Sequence, residues 1–446
     1  MNIKLKSVLV FTVIYFCGYA ASGQQLYRLR PERVFDGKQI HNNWDVLVQG
    51  NKIIAVCTPA SIPSNANEQL IVLPGSTLMP GLIDAHSHLF LHPYNETSWN
   101  DQVLKESRVE RTARAIEHAK KTLMAGFTTV RDLGTEGAMY DDVSLKKIIH
   151  KGLVPGPRML IATRAIVATG AYGPKSETVE QEVIKGAAEA GNLDELIKEA
   201  RTEIGQGADL IKVYADYRVG PNNEAKPTFT AGELKSLVEV VQSTGRGVVV
   251  HSSTKEGMRR SIEAGVLSIE HGDDGDEAIF KSMKAKQVAF CPTLAAGESI
   301  ARYGGWKKGI DPDPARIAQK KNAFQQALKS GVTILMGGDV GVFSHGDNAL
   351  EMELMVEYGM APLAVMQAAT SVNAGTMGIG SQLGSIKPGY LADLIAVEGN
   401  PMENISQVRQ VKFVMKDGVV FNLLPAGITK QLPLNLSGDQ SKSRPR

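Results

Sequence analysis

The run Met79-Pro80-Gly81-Leu82-Ile83-Asp84-Ala85-His86-Ser87-His88 ends in two histidines one residue apart. Residues i and i+2 of a β-strand point to the same side, so a strand here brings both imidazoles to one point, where their nitrogens suit a metal ion. A His-x-His among nine histidines is a weak signal by itself and arises readily in a surface turn. Four more apolar runs carry or end in a group able to bind metal: Leu210-Ile211-Lys212-Val213-Tyr214, Val248-Val249-Val250-His251, Ser268-Ile269-Glu270-His271-Gly272 and Ile334-Leu335-Met336-Gly337-Gly338-Asp339. His86, His88, Lys212, His251, His271 and Asp339 together point to a metal centre assembled at strand ends.

Such groups need a scaffold. From Leu78 to about Leu383, strand candidates centred on Ile83, Thr129, Leu160, Val213, Val249, Ile269, Ala289 and Leu335 alternate with helical segments such as Arg108 to Gly126, Leu193 to Gly207, Ala231 to Thr244 and Pro314 to Ser330. Strand then helix, repeated, predicts right-handed parallel units, and eight of them close most naturally into an α/β, (β/α)8 TIM-like barrel over residues 78–383. Reacting groups in that fold sit at the carboxyl ends of the strands, where every candidate ligand falls. The longest irregular connection, Arg164 to about Ala188, is expected to be a lid or specificity element.

Both ends of the chain turn β-rich. Arg33-Val34-Phe35-Asp36-Gly37, the hairpin around Gly50-Asn51, and the stretches from Gly389 to Val397 and Gln410 to Val420 predict a small composite β-sandwich from residues 24–77 and 384–425. The polar tail, 426–446, is expected to fray.

Lys4 and Lys6 precede an apolar run from Val8 to Ala21 and the small residues Ala21-Ser22-Gly23, the layout of a signal peptide spanning 1–23 with cleavage before Gln24. An uncleaved anchor and lipidation at Cys17 are the alternatives. Cleavage predicts an exported protein, periplasmic or secreted, with no stable membrane insertion afterwards. Without those two lysines the 49 basic residues fall to 47, equal to the 47 acidic ones, which gives no hint of a nucleic-acid partner. Cys57 and Cys291, far apart in apolar runs, read as small buried hydrophobes rather than a disulfide framework.

With these residues in place the chain resembles the amidohydrolase superfamily of metal-dependent hydrolases over nearly all of its mature length. The likeness rests on the Pro80 to His88 strand, on Lys212, His251, His271 and Asp339 in that order, and on Gly384-Ser385-Ile386-Lys387-Pro388-Gly389-Tyr390-Leu391-Ala392-Asp393-Leu394. It implies two divalent metal ions: one held by His86, His88 and Asp339, the other by His251 and His271, with Lys212 bridging them. A protonated lysine has no lone pair to give and repels cations, and in the family the amine captures carbon dioxide to become an anionic carbamate. Zinc suits imidazole and carboxylate, although manganese, iron and cobalt fit the same ligands. The implied chemistry is attack by metal-bound hydroxide, with Asp339 as general base and then general acid.

Within the superfamily the chain looks most like the imidazolonepropionase-like branch, which includes metal-dependent, prolidase-like dipeptidases acting on Xaa-Pro and on carboxy-terminal basic residues. Lys212-Val213-Tyr214-Ala215 and the stretch from His345 to Val356 carry that likeness. Tyr214 shares the Lys212 side of its strand, so it is a candidate contact for a substrate carboxylate or a packing aromatic. His345 is a substrate contact or a helix cap. Arg131 is a carboxylate contact or, with Asp132, a structural ion pair. After the fourth strand the chain reads Asp216-Tyr217-Arg218-Val219-Gly220-Pro221-Asn222-Asn223, where those dipeptidases carry a Gly-rich turn.

The resulting expectation is an exported binuclear amidohydrolase that cleaves amide or peptide C–N bonds of a small-molecule substrate, a dipeptidase or carboxypeptidase among the options. The alternatives are a lactone, cyclic-amide or phosphoester hydrolase on the same metals, and a catalytically silent binding protein. Relatives in the superfamily often form homo-oligomers.

Overall fold

The computed structural model describes residues 25–62, 65–176, 178 and 180–423. The expected signal segment, its Gln24 junction, Cys17 and the tail 426–446 lie outside the described residues.

Seven parallel strands follow one another around a barrel: Leu82–Ser87, Phe127–Asp132, Arg158–Ile161, Ile211–Tyr214, Val248–Ser252, Ser268–His271 and Ala289–Cys291. The third is broken, resuming as Ile166–Ala168, which pairs with the fourth through Val213. The eighth position is filled by an irregular segment around Leu335. It bridges Phe290 through Ile334 and Ser87 through Val340, and Met336 accepts from the Ala85 amide at 2.9 Å. Regular strand geometry fails there because the chain passes very close to its neighbours: a Cβ on Gly337 would lie 2.6 Å from Cys291 Sγ and 2.8 Å from the His86 nitrogen.

The helices between the strands follow the apolar periodicity of the sequence: Arg108–Met124, Leu193–Gln206, Ala231–Gln242 and Ala315–Ser330 fall within a few residues of the expected spans. Their ends are set by chemistry. Ser107 and Asn192 accept from the amides of Glu110 and Glu195, and Thr230 forms a reciprocal box with Glu233. Each such cap contributes about 1 kcal/mol.

Leu26–Phe35 and Glu68–Pro80 from one end, and Leu394–Glu398, Val411–Lys416 and Val419–Leu423 from the other, belong to one eight-stranded sheet. Glu68–Pro80 lies between Leu26–Phe35 and Leu394–Glu398, so the two chain ends interleave. Period-2 alternation gives this sheet two buried faces. Leu394, Ala396 and Phe413 enclose a core of their own, whereas Ile395, Val397 and Val414 join the barrel core. Cys291 is buried as expected, but Cys57, at the end of Lys52–Cys57, is partly exposed, and both are free thiols.

The connection after the third strand is more ordered than the sequence indicates. Ile166–Ala168 and Ala188–Ala190 pair in parallel and shorten the irregular part to residues 169–187. Asn100 fastens that loop from across the barrel mouth, receiving the Lys175 amide at 2.6 Å and donating to the Lys175 carbonyl at 3.2 Å.

Candidate active site

His86 is the last residue but one of the first strand and His88 follows its end, both almost wholly buried. Each imidazole is held by its inner nitrogen: His86 Nδ1 donates to Glu270 Oε2 at 2.9 Å and His88 Nδ1 donates to the Gly134 carbonyl at 2.9 Å. Tethering Nδ1 as a donor turns each Nε2 toward the cavity, the nitrogen a metal would take once it carries no proton.

Those two Nε2 atoms lie 3.4 and 3.3 Å from Asp339 Oδ1. Ligand atoms about 2.0–2.1 Å from a tetrahedral zinc are separated by about 3.3–3.4 Å, so this donor set fits one ion. Burial lowers His86 to about 4, which keeps it neutral. Burial also pushes His88 down, but its hydrogen bond to Asp339 wins and lifts it to about 9. Asp339 is held below the usual carboxylate range. Burial opposes this, and the charges of His86, His88 and Lys212 overcome it.

His271, whose Nδ1 bonds the Thr293 hydroxyl at 2.8 Å, brings its ring within 5.1 Å of His86 and 4.4 Å of His251. Burial draws His251 down to about 3 and His271 well below the usual histidine range, so both are neutral donors. Lys212, 1% exposed on the fourth strand, sits among these groups, and its charge is felt at His86, His251, His271 and Asp339. Its pKa is lowered by burial, against the pull of Glu270 and Asp339. The structure therefore brings all six expected ligands to one place.

Backbone strain marks two of them. His271 and Asp339 adopt left-handed φ values of 76° and 62°, uncommon for non-glycine residues and typical of functional sites. A second cluster of His86, Glu270 and Cys291 is also close enough to hold a metal. Its donors are already committed. Glu270 accepts from His86, Arg131 and Ser268, and the buried Cys291 thiol, pushed far up by burial, donates to the Gly337 carbonyl at 3.6 Å.

The floor opens into a cavity of about 680 Å³. Tyr214 lines it as expected, its ring stacked on His251 at 4.5 Å and 11°. Arg131 and His345 do not line it. Arg131 lies beneath the floor, bonding the Ala85 carbonyl at 2.6 Å and Glu270 Oε1 at 2.9 Å, so it is a structural ion-pair partner, with Glu270 in place of the expected Asp132. Asp132 instead receives the Leu89 amide at 2.8 Å. His345 donates from Nε2 to the Leu91 carbonyl at 2.9 Å and stacks on His118 at 4.2 Å, behind the cavity wall, and it caps no helix.

Several lining residues escape the sequence reading. Tyr172, from the 169–187 loop, packs at 4.8 Å from both Trp99 and Tyr214 and at 5.0 Å from Tyr217. Trp99 Nε1 and the Tyr172 hydroxyl both donate to Glu136. Arg218 stands exposed at the mouth. Two sequence signals pointed near them: the long connection from Arg164 to about Ala188, which contains Tyr172, and the departure from a Gly-rich turn at Tyr217-Arg218.

Residues 77–421 match the Amidohydrolase family. Ochratoxinase of Aspergillus niger is 30% identical over 417 residues, covering 86% of this chain and 84% of its own. A crystal structure of a Xaa-Pro dipeptidase with bound methionine in the active site superposes with a TM-score of 0.80 at 32% identity, covering 89% of this chain and 100% of that one. The crystal structure of A. niger ochratoxinase gives a TM-score of 0.77 at 27% identity, over 91% of this chain and 97% of its own.

Proposed function

This chain belongs to the amidohydrolase family, in its prolidase-like branch, as a hydrolase acting on C–N bonds, and from that premise we propose a two-metal enzyme, best suited to zinc, that cleaves amide or peptide bonds in the manner of a dipeptidase or carboxypeptidase. The observation that carries this reading is the convergence of His86 Nε2 and His88 Nε2 on Asp339 Oδ1, at 3.4 and 3.3 Å, beside the neutral pair His251 and His271.

His86, His88 and Asp339 would hold one ion and His251 and His271 the other. When bound, the ions polarise the scissile carbonyl and acidify water for attack. Lys212, converted to a carbamate, would offer anionic oxygen donors to both sites: its neutral Nζ lone pair adds to the carbon of carbon dioxide, and the proton lost from the nitrogen passes to water. Burial favours that step by disfavouring the ammonium form. Asp339, held ionised, takes up the proton of the attacking water and delivers it to the leaving nitrogen.

Tyr214 and Arg218 are suited to the substrate's carboxylate. The Tyr214 ring stacks on His251, and Arg218 stands exposed at the cavity mouth. The pattern Lys4, Lys6, Val8 to Ala21 supports export to the periplasm or medium. Among the described residues no helix is long and apolar enough to cross a membrane.

The test is release of free amino acid from a panel of dipeptides and N-acyl amino acids after incubation with zinc and bicarbonate. Release that disappears in Lys212→Ala supports the reading, and the preferred side chains name the specificity. No release from a protein that binds two metals per chain would overturn amide cleavage and direct the search to lactones and phosphoesters.

A further inference from the structure

We infer that the cavity recognises a primary ammonium group of its substrate at Glu136, an inference that rests on the proposed cleavage of amides and narrows their class. Glu136 follows the second barrel strand and is 2% exposed, yet it lines the cavity. A carboxylate taken out of water is costly unless a cation or several donors meet it. Here two neutral donors, Trp99 Nε1 at 2.9 Å and the Tyr172 hydroxyl, both use Oε2. Among the described residues no lysine, arginine or histidine comes within 4.0 Å of this carboxylate. The guanidinium of Arg111, nearby, spends its donors on the main-chain carbonyls of Phe90, Thr135 and Glu136. Nor does Glu136 belong to either group of side chains able to hold a metal.

The two donors to the carboxylate belong to an aromatic wall. Trp99, Tyr172, Tyr214 and Tyr217 form a continuous set of rings with neighbouring centroids 4.8 to 6.0 Å apart. Burial, and after it the Glu136 charge, push the Tyr172 phenol well above the usual tyrosine range, so it stays a neutral ring. Ring faces attract cations, and a buried carboxylate among them selects a cation over a neutral group of the same shape. The conformation is also costly: Glu136 has φ 50°, held in a turn with Gly137 at φ 97°. Strain of this kind is retained where a side chain must be aimed. Tyr172 belongs to the 169–187 loop, so that loop completes the pocket.

A primary ammonium reaches this position either as the free α-amino group of a peptide or as a lysine side chain on the acyl part. Three measurements on the zinc-loaded protein separate these. The first compares kcat/KM for dipeptides with and without an N-acetyl block. The second compares N-acetyl-lysyl with N-acetyl-norleucyl amides. The third measures calorimetric binding of n-butylammonium against n-butanol at matched ionic strength. The expected result is a preference of at least about tenfold for the charged member in the third pair and in one of the first two, falling toward unity in Glu136→Gln. Preference in the first pair assigns the α-amine, and in the second the lysine side chain. Equal binding of the two butyl probes, or a preference that Glu136→Gln leaves unchanged, would overturn the inference. If no amide is cleaved at all, the proposed reaction fails while the butylammonium measurement still decides the site.

Discussion

His86 Nδ1 and Glu270 Oε2 lie 2.9 Å apart, both buried, and the other oxygen of Glu270 accepts from Arg131 at 2.9 Å. One carboxylate thus orients an imidazole and neutralises a guanidinium whose Nε also bonds the Ala85 carbonyl, next to His86. Burial alone would raise Glu270, but Arg131 and His86 hold it below the usual carboxylate range. Glu270→Gln should keep the fold and lower metal affinity roughly 10–100-fold, as loss of an orienting partner does. Glu270→Ala strands Arg131 in the interior and should cost about 3–5 kcal/mol. Metal titration and denaturant melts of the two variants separate the roles, and equal effects from both would argue against an orienting function.

Asp339→Asn should retain the fold and much of the metal while turnover falls by about 10²–10⁴, the usual share of general acid–base catalysis. The amide keeps an oxygen that could join His86 and His88 around one ion but cannot take up a proton. Single-turnover assays at saturating substrate read this directly, and near-normal rates would remove Asp339 from proton transfer.

The proposed carbamate on Lys212 predicts an activity that depends on dissolved carbon dioxide. Protein prepared in degassed buffer should lose activity and recover it with bicarbonate, whereas Lys212→Ala should respond to neither. ¹³C-labelled bicarbonate should add one carbonyl resonance to the wild type. No such signal in an active protein would mean that Lys212 acts as the free amine.

Tyr172→Ala should raise KM by roughly 3–10-fold with little change in melting temperature, because an aromatic pair contributes about 0.5–1.5 kcal/mol and Tyr172 packs only against the edge of a small cluster around Tyr214, outside the main barrel core. Steady-state kinetics at several substrate concentrations distinguish this from a loss in kcat.

His118 offers a pH signature away from the metal ligands. Burial lowers it to about 4, its Nδ1 bonded to the Leu89 carbonyl at 2.8 Å. Its folded pKa lies below the unfolded value of about 6.5, so between these limits the unfolded chain binds more protons. Stability from this group is complete above about pH 6.5 and is lost as pH falls towards 4, by up to about 3 kcal/mol. His118→Asn should be less stable at pH 7 and lose less on acidification, and melts from pH 4 to 8 would show parallel curves if His118 did not contribute.

The residues that converge at the cavity floor could be read from the chain because a strand keeps side chains in step at every second residue and a parallel barrel puts all its strand ends on one face. His86 and His88 obey that rule. Glu270 and His271 break it, being adjacent in sequence yet both reaching His86. Alternation would send them to opposite sides, and the left-handed backbone at His271, φ 76°, turns its ring back inward. Arg131 misled for a related reason: its position at a strand end was legible, but its partner Glu270, 139 residues away, was not.

By itself, then, the sequence determined the barrel, the order of its strands and the residues at their ends, because apolar periodicity and strand-end chemistry are local. Only the tertiary structure decided which nitrogen of His86, His88 and His271 is tethered away from the cavity, that Arg131 and His345 stand behind its walls, and that Trp99, Glu136 and Tyr172 meet. Those three come from separate connections, and what joins them is the closure of the barrel mouth, a long-range packing outcome that no local pattern encodes.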